Sequence, residues 1–128
     1  MGLAQNSPVA FIPTTKPEAA RTFYEKTLGL RFESADDFAI VFRLGAADIM
    51  LRVTIVPDLT PHSFTIFGWQ VQDIVASVTE LTAKGVEFTR YGFLEQDERA
   101  VWNAPGGTKV AWFRDPDGNT LSLSQHPA

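Results

Sequence analysis

One order of local signals occurs twice along this chain at nearly the same spacing, and few folds accept that. The first series opens with Val9-Ala10-Phe11-Ile12, an apolar strand pattern ended by Pro13. Thr15 and Glu18 then stand at capping-box spacing, where hydroxyl and carboxylate satisfy the free N–H groups of a helix start. Ala20, Phe23, Tyr24, Thr27 and Leu28 follow at helical spacing, and Gly29 sits where a left-handed cap ends a helix. Strand patterns come next at 30–33, 38–43 and 48–54, the last two joined by a turn at 44–47.

A linker with Pro57 and Pro61 leads into the second series. A strand is expected at 64–71, then a helix capped by Asp73, carrying Ile74, Val78 and Leu81 and closed by Gly85. Strand patterns at 86–89, 99–103, 108–113 and 120–125 complete it. Between them lie an irregular polar loop at 91–98 and glycine-bearing turns at 104–107 and 115–118. The two helix starts are 58 residues apart and the two closing glycines 56 apart. Equal spacing of a β-α-β-β-β order predicts an internal duplication, with an extra hairpin segment near 91–107 in the second copy. The alternative is an unrelated α+β sandwich with chance spacing.

Composition narrows the class. At 128 residues, one domain is expected, with module one at about 8–55, a linker at 56–63 and module two at about 64–126. A net charge of −4, spread evenly over both halves, argues against nucleic acid as a partner. No apolar run suits a membrane span, and residues 1–7 lack a signal-peptide pattern, so a cytoplasmic location is expected. The absence of cysteine removes disulfides, thiolate metal sites and thiol nucleophiles together.

Phe23-Tyr24-Glu25-Lys26-Thr27-Leu28-Gly29-Leu30 resembles the "FYxxxLGL" signature of the vicinal oxygen chelate superfamily of glyoxalases, bleomycin-resistance proteins and dioxygenases. Asp73-Ile74, Lys84-Gly85-Val86 and Phe113-Arg114-Asp115-Pro116-Asp117-Gly118-Asn119 match its later landmarks, so the resemblance spans residues 8–126. It implies an α+β fold of two tandem βαβββ modules, with curled mixed sheets forming an open cup and helices outside. It also implies a homodimer. Metal-dependent members carry histidine and glutamate at positions that fall here on Val9, Met50, Ile66 and Ser122. None of these supplies the imidazole or carboxylate that zinc, nickel, iron or manganese selects, so neither a metal nor another cofactor is expected. His62 reads as a linker residue and His126 as a tail residue whose alternation could bring it to the cup rim.

Strand alternation, read apart from the resemblance, sorts the side chains. Phe38, Ile40, Phe42, Ile49, Leu51 and Val53 form one apolar set in the first series, and Phe67, Trp69, Val71, Leu121 and Leu123 another in the second. These should pack under the helices. The opposite faces then carry the candidate ligand contacts Phe11, Met50, Arg52, Gln70, Trp112, Ser122 and Ser124. Arg52 matches a carboxylate or phosphate with its fork, or else pairs with a protein acid such as Glu95 or Asp97. Trp112 is a stacking surface for a flat ligand or a core residue. Glu95, in the 91–98 loop that could form a lid, is the speculative catalytic base if buried. These readings favour a metal-free small-molecule-binding protein of the glyoxalase/bleomycin-resistance type. The alternative is a metal-independent lyase or isomerase acting on a small anion, with a glyoxalase I-like metalloenzyme third, so catalysis stays open.

Overall fold

The computed structural model describes residues 2–128. Its elements run β1 (Val9–Thr14), α1 (Pro17–Thr22), β2 (Arg31–Ala35), β3 (Ala39–Leu44), β4 (Ile49–Ile55), β5 (Phe67–Gln70), α2 (Ile74–Ala83), β6 (Trp102–Asn103), β7 (Lys109–Arg114) and β8 (Thr120–Gln125). The chain divides into two compact units, parting between Thr60 and Pro61. Each holds a four-stranded mixed sheet, in the orders β1-β4-β3-β2 and β5-β8-β7-β6. Within each sheet the first strand lies parallel to the last, and the remaining pairs are antiparallel. The two orders are the same, as a duplicated α+β plan requires.

In the first unit the core lies between the sheet and α1 with the π-helical turn that follows it. Ile12, Ile40, Phe42, Leu51 and Val53 are buried with Ala20 and Tyr24, and the Tyr24 and Phe42 rings stand 6.0 Å apart. That turn spans Phe23–Thr27; Leu28 donates to the Phe23 carbonyl, and Gly29 exits at φ +76°. The helix start differs from the capping-box expectation. Lys16 occupies the N-cap with no side-chain cap bond, Pro17 fills the first turn, and the Thr14 hydroxyl accepts from the Lys16 amide instead. Pro13 does not end β1: on an edge strand its missing N–H removes no ladder bond, and pairing continues to Thr14 opposite Ile55. Phe38 lies just before β3 and is 73% exposed, so it leaves the apolar set that alternation assigned it to.

In the second unit Ala111, Phe113, Leu121 and Leu123 are buried along with Ile74 and Val78 of α2. The α2 start is doubly satisfied: Asp73 Oδ1 accepts from the Ala76 amide, and Gln125 Oε1 accepts from the Ile74 amide at 2.8 Å. The strand expected at 86–89 is reduced to a single bridge between Phe88 and Phe113. The place beside β7 is shared with β6, whose two residues pair with Lys109 and Val110. The extra segment of the second copy therefore takes over part of a strand position instead of adding a strand.

Candidate functional site

Cα register decides which side chains share a face. On the first sheet, Ala10, Ile12 and Thr14 alternate toward the helix side, leaving Val9, Phe11 and Pro13 on the far face. β4 contributes Met50, Arg52 and Thr54 to that face, and β3 contributes Ala39, Val41 and Arg43. Arg52 is flanked by Phe11 on β1 and Val41 on β3. Phe11 is 61% exposed, Val41 is buried, and Met50 and Arg52 are half-buried.

Three arginines share this face, and two are engaged. Arg31 reaches Asp48 at 2.7 Å, and Arg43 reaches Glu33 at 2.8 Å. Arg52 makes no hydrogen bond or ion pair with any of the described residues. Glu95 and Asp97, the acids considered for it, are not its partners. Glu95 is exposed in its loop, so the burial that would make it a base is missing. Asp97 is occupied: its Oδ1 accepts from the amides of Arg99 and Val101. Asp36, at the β2–β3 turn, lies within electrostatic reach of Arg52. Its carboxyl is held below the usual range, first by amides of Phe38 and Ala39 and then by Arg52.

Thr54 is the residue that sequence reasoning missed on this face. Its hydroxyl is buried with no hydrogen-bond partner among the described residues, a state that costs about 1–3 kcal/mol for such a group. Nothing in the sequence separates it from an ordinary strand threonine.

On the second sheet the far face carries Gly68, Gln70, Trp102, Val110, Trp112, Ser122 and Ser124. Trp112 is the register partner of Ser122, as alternation predicted. Its ring lies 6.0 Å from Trp102 and 5.3 Å, edge-on, from Tyr91, which in turn lies 5.6 Å from Phe93. The Tyr91 hydroxyl is also buried without a partner among the described residues. Ser122 occupies the space left by Gly68: a Cβ on that glycine would lie 2.6 Å from Ser122 Oγ and 2.8 Å from its carbonyl oxygen. Ser124 Oγ is 3.0 Å from His126 Nε2, so the histidine does reach this face, exposed. His62 stacks on Phe64 at 4.7 Å and gives its carbonyl to the Thr120 hydroxyl.

The loop expected as a lid is tied down at its base. Gln96 accepts from the Tyr91 amide and donates to the carbonyls of Thr89 and Ala100. Phe93, at the tip, is 81% exposed. Behind the second sheet, a cavity of ≈ 480 Å³ is lined by Val78, Thr82, Val86, Phe88, Arg90 and Arg99, among others. Its arginines are already engaged, Arg90 with the Asp97 carbonyl and Arg99 with Glu98.

The resemblance puts the metal-ligand positions at Val9, Met50, Ile66 and Ser122. Val9 and Met50 are direct register partners, and Ser122 faces Gly68, two residues on from Ile66. An aliphatic pair, a thioether and a hydroxyl do not fit a divalent transition metal. Among the described residues no group of three His, Cys, Asp or Glu side chains could hold one.

Two four-stranded mixed sheets with one order, each following a β-α-β-β-β course, define a tandem-module α+β protein. The chain belongs to the glyoxalase/bleomycin resistance protein/dioxygenase superfamily, whose family model matches residues 7–123. Solved structures share the fold. A glyoxalase family protein from Bacillus anthracis has a TM-score of 0.75 at 16% identity, covering 99% of each chain. A bleomycin resistance determinant encoded on transposon Tn5 has a TM-score of 0.71 at 23% identity, covering 97% of this chain and 100% of its own. Lactoylglutathione lyase from Agrobacterium tumefaciens has a TM-score of 0.71 at 15% identity, covering 94% and 93%. No curated protein matches the chain.

Proposed function

We propose that the protein is a metal-free small-molecule-binding protein of the glyoxalase/bleomycin-resistance type, whose ligand places an anionic group on Arg52. The observation that carries this reading is an arginine, half-buried between Phe11 and Val41, that makes no pair among the described residues while its two neighbouring arginines do. A guanidinium removed from water without a partner is costly, and a ligand anion offsets that cost. Phe11 and Met50 supply apolar contact beside it. On the second sheet Gln70, Trp112, Ser122 and Ser124 form a neutral face of their own, proposed as a separate set of small-molecule contacts. Binding is favoured over lyase or isomerase chemistry because the acids offer a poor proton carrier: Glu95 is exposed, and the Asp36 carboxyl, lowered by the Phe38 and Ala39 amides on its Oδ1, is a weak base. We also propose that the protein works as a homodimer, since the edge strands β1, β2 and β5 leave ladder groups for a second copy to cover.

Native mass spectrometry of protein from its own host tests the reading. The expected result is a retained small anion that is lost from Arg52→Met, with affinity falling by about 2–5 kcal/mol in calorimetry once the ligand is in hand. Equal retention by the variant would contradict it.

A further inference from the structure

We propose, resting on the reading of Arg52 as the anion anchor, that the anion is a monoanionic carboxylate on a flat apolar body, and that the same site discriminates against a phosphate dianion. Charge on the far face of the first sheet is the first ground. Asp48 and Glu33 pair with Arg31 and Arg43, while Arg52 makes no ion pair among the described residues. A carboxylate adds one negative charge there, a phosphate dianion two, and the fixed charge within electrostatic reach of Arg52 is already negative.

That charge is Asp36. Its amide donates to the Ala39 carbonyl, and Ala39 is the register partner of Thr54, one alternation along β4 from Arg52. The carboxylate is pinned there by the amides of Phe38 and Ala39 at 2.8 and 2.9 Å, so it cannot swing away from an arriving anion. Its titration is displaced to the acid side, which keeps it negative throughout the neutral range.

The apolar surroundings define the body of the ligand. Phe11 is the register partner of Arg52 across a parallel pair, about 4.8 Å away at the strand spacing. Val9 and Met50 are the next pair on the same face, about 7 Å further along the strands. Phe11 and Val9 are both exposed. A carboxylate on the Arg52 fork thus puts the next several atoms of its carrier over Phe11, Val9 and Met50, the span of one ring.

The test uses the full chain and three probes of one shape: benzoate, phenyl phosphate and benzamide. Titrations are followed by NMR at the Arg52 Nε–Hε group and the β1 and β4 amides, near pH 8, where phenyl phosphate is a dianion because its second pKa is about 6. Benzoate is expected to saturate the Arg52 signal, with phenyl phosphate and benzamide at least about ten-fold weaker. Asp36→Asn keeps the oxygen that accepts from Phe38 and Ala39, and should narrow the benzoate preference over phenyl phosphate by about three-fold or more. Arg52→Met should lose benzoate altogether.

The failures separate. If Arg52→Met binds benzoate as wild type does, the anion reading itself falls. If Arg52→Met loses every anion but wild type prefers phenyl phosphate, or Asp36→Asn leaves the preference unchanged, the anchor stands and the carboxylate assignment is overturned. No saturable shift with benzoate up to about 20 mM also overturns the carboxylate assignment.

Discussion

The far faces of the two sheets have the same strand order and the same register logic, yet they present different chemistry. The first sets Val9, Phe11, Val41 and Met50 beside three arginines, of which Arg52 makes no ion pair among the described residues. The second carries one charged group, Arg114 at the end of β7, and is otherwise made of tryptophans, Val110, hydroxyl residues and a glutamine around a glycine notch. Both faces bury one hydroxyl without a partner, Thr54 on the first and Tyr91 in the loop against the second. A scaffold with one plan in both units thus leaves its two far faces free to diverge, because face assignment depends only on alternation while core packing constrains the other side.

Gly68 gives the largest expected effect. A Cβ there meets the backbone carbonyl of Ser122 at 2.8 Å, so something in β5 or β8 must shift. Gly68→Ala should destabilise the protein by about 1–3 kcal/mol in denaturant melts. Phe11→Ala on the other sheet, where the side chain is mostly exposed, should stay within about 1 kcal/mol of wild type. Equal losses would erase the distinction between a tightly fitted face and an open one.

The orphan hydroxyls come next. Thr54→Val and Tyr91→Phe each remove a buried polar atom without a partner, and each should raise stability by about 1 kcal/mol. Neither should change benzoate binding, since both hydroxyls are shut away from solvent. A loss of stability in either would show that the hydroxyl has a partner.

Acid titration gives a smaller effect, confined to the first unit. The Asp36 carboxyl is lowered in the folded state, so its contribution is present above the ordinary aspartate value of 3.8 and is lost as pH falls through the folded value. Thermal melts between about pH 5 and 2 should therefore be flatter for Asp36→Asn than for wild type. Superimposable acid limbs would remove Asp36 from the account. Chelator dialysis should have no effect on melting or benzoate binding, and a stoichiometric transition metal in untagged protein would contradict the donor comparison at Val9, Met50, Ile66 and Ser122.

Much of this was legible in the sequence, and the omissions have physical causes. Period-two alternation placed Arg52 with Met50 and Trp112 with Ser122, because a side chain's face depends on the strand alone. Asp73 and Gly29 act as read, since a cap is a local motif. Phe38 escaped because alternation extends past a strand end, where the chain is already turning. The shortened strand at Phe88 escaped because occupancy of a sheet position depends on what the inserted segment does elsewhere. Thr54, Tyr91 and the pinned Asp36 carboxylate were illegible for one reason: whether a polar group has a partner is a property of three-dimensional neighbours.

The central claim is that Arg52 makes no hydrogen bond or ion pair with the described residues, and the melting temperature of Arg52→Met tests it without any ligand. The side chain keeps most of its apolar stem and loses only the fork. The account predicts a melting temperature no more than about 2 °C below wild type, or above it, since a guanidinium without an ion pair adds little to the fold and its loss relieves a desolvation cost. A fall of about 5 °C or more, roughly 1 kcal/mol for a chain of this size, would mean that Arg52 is a structural ion-pair partner, and the account would be wrong.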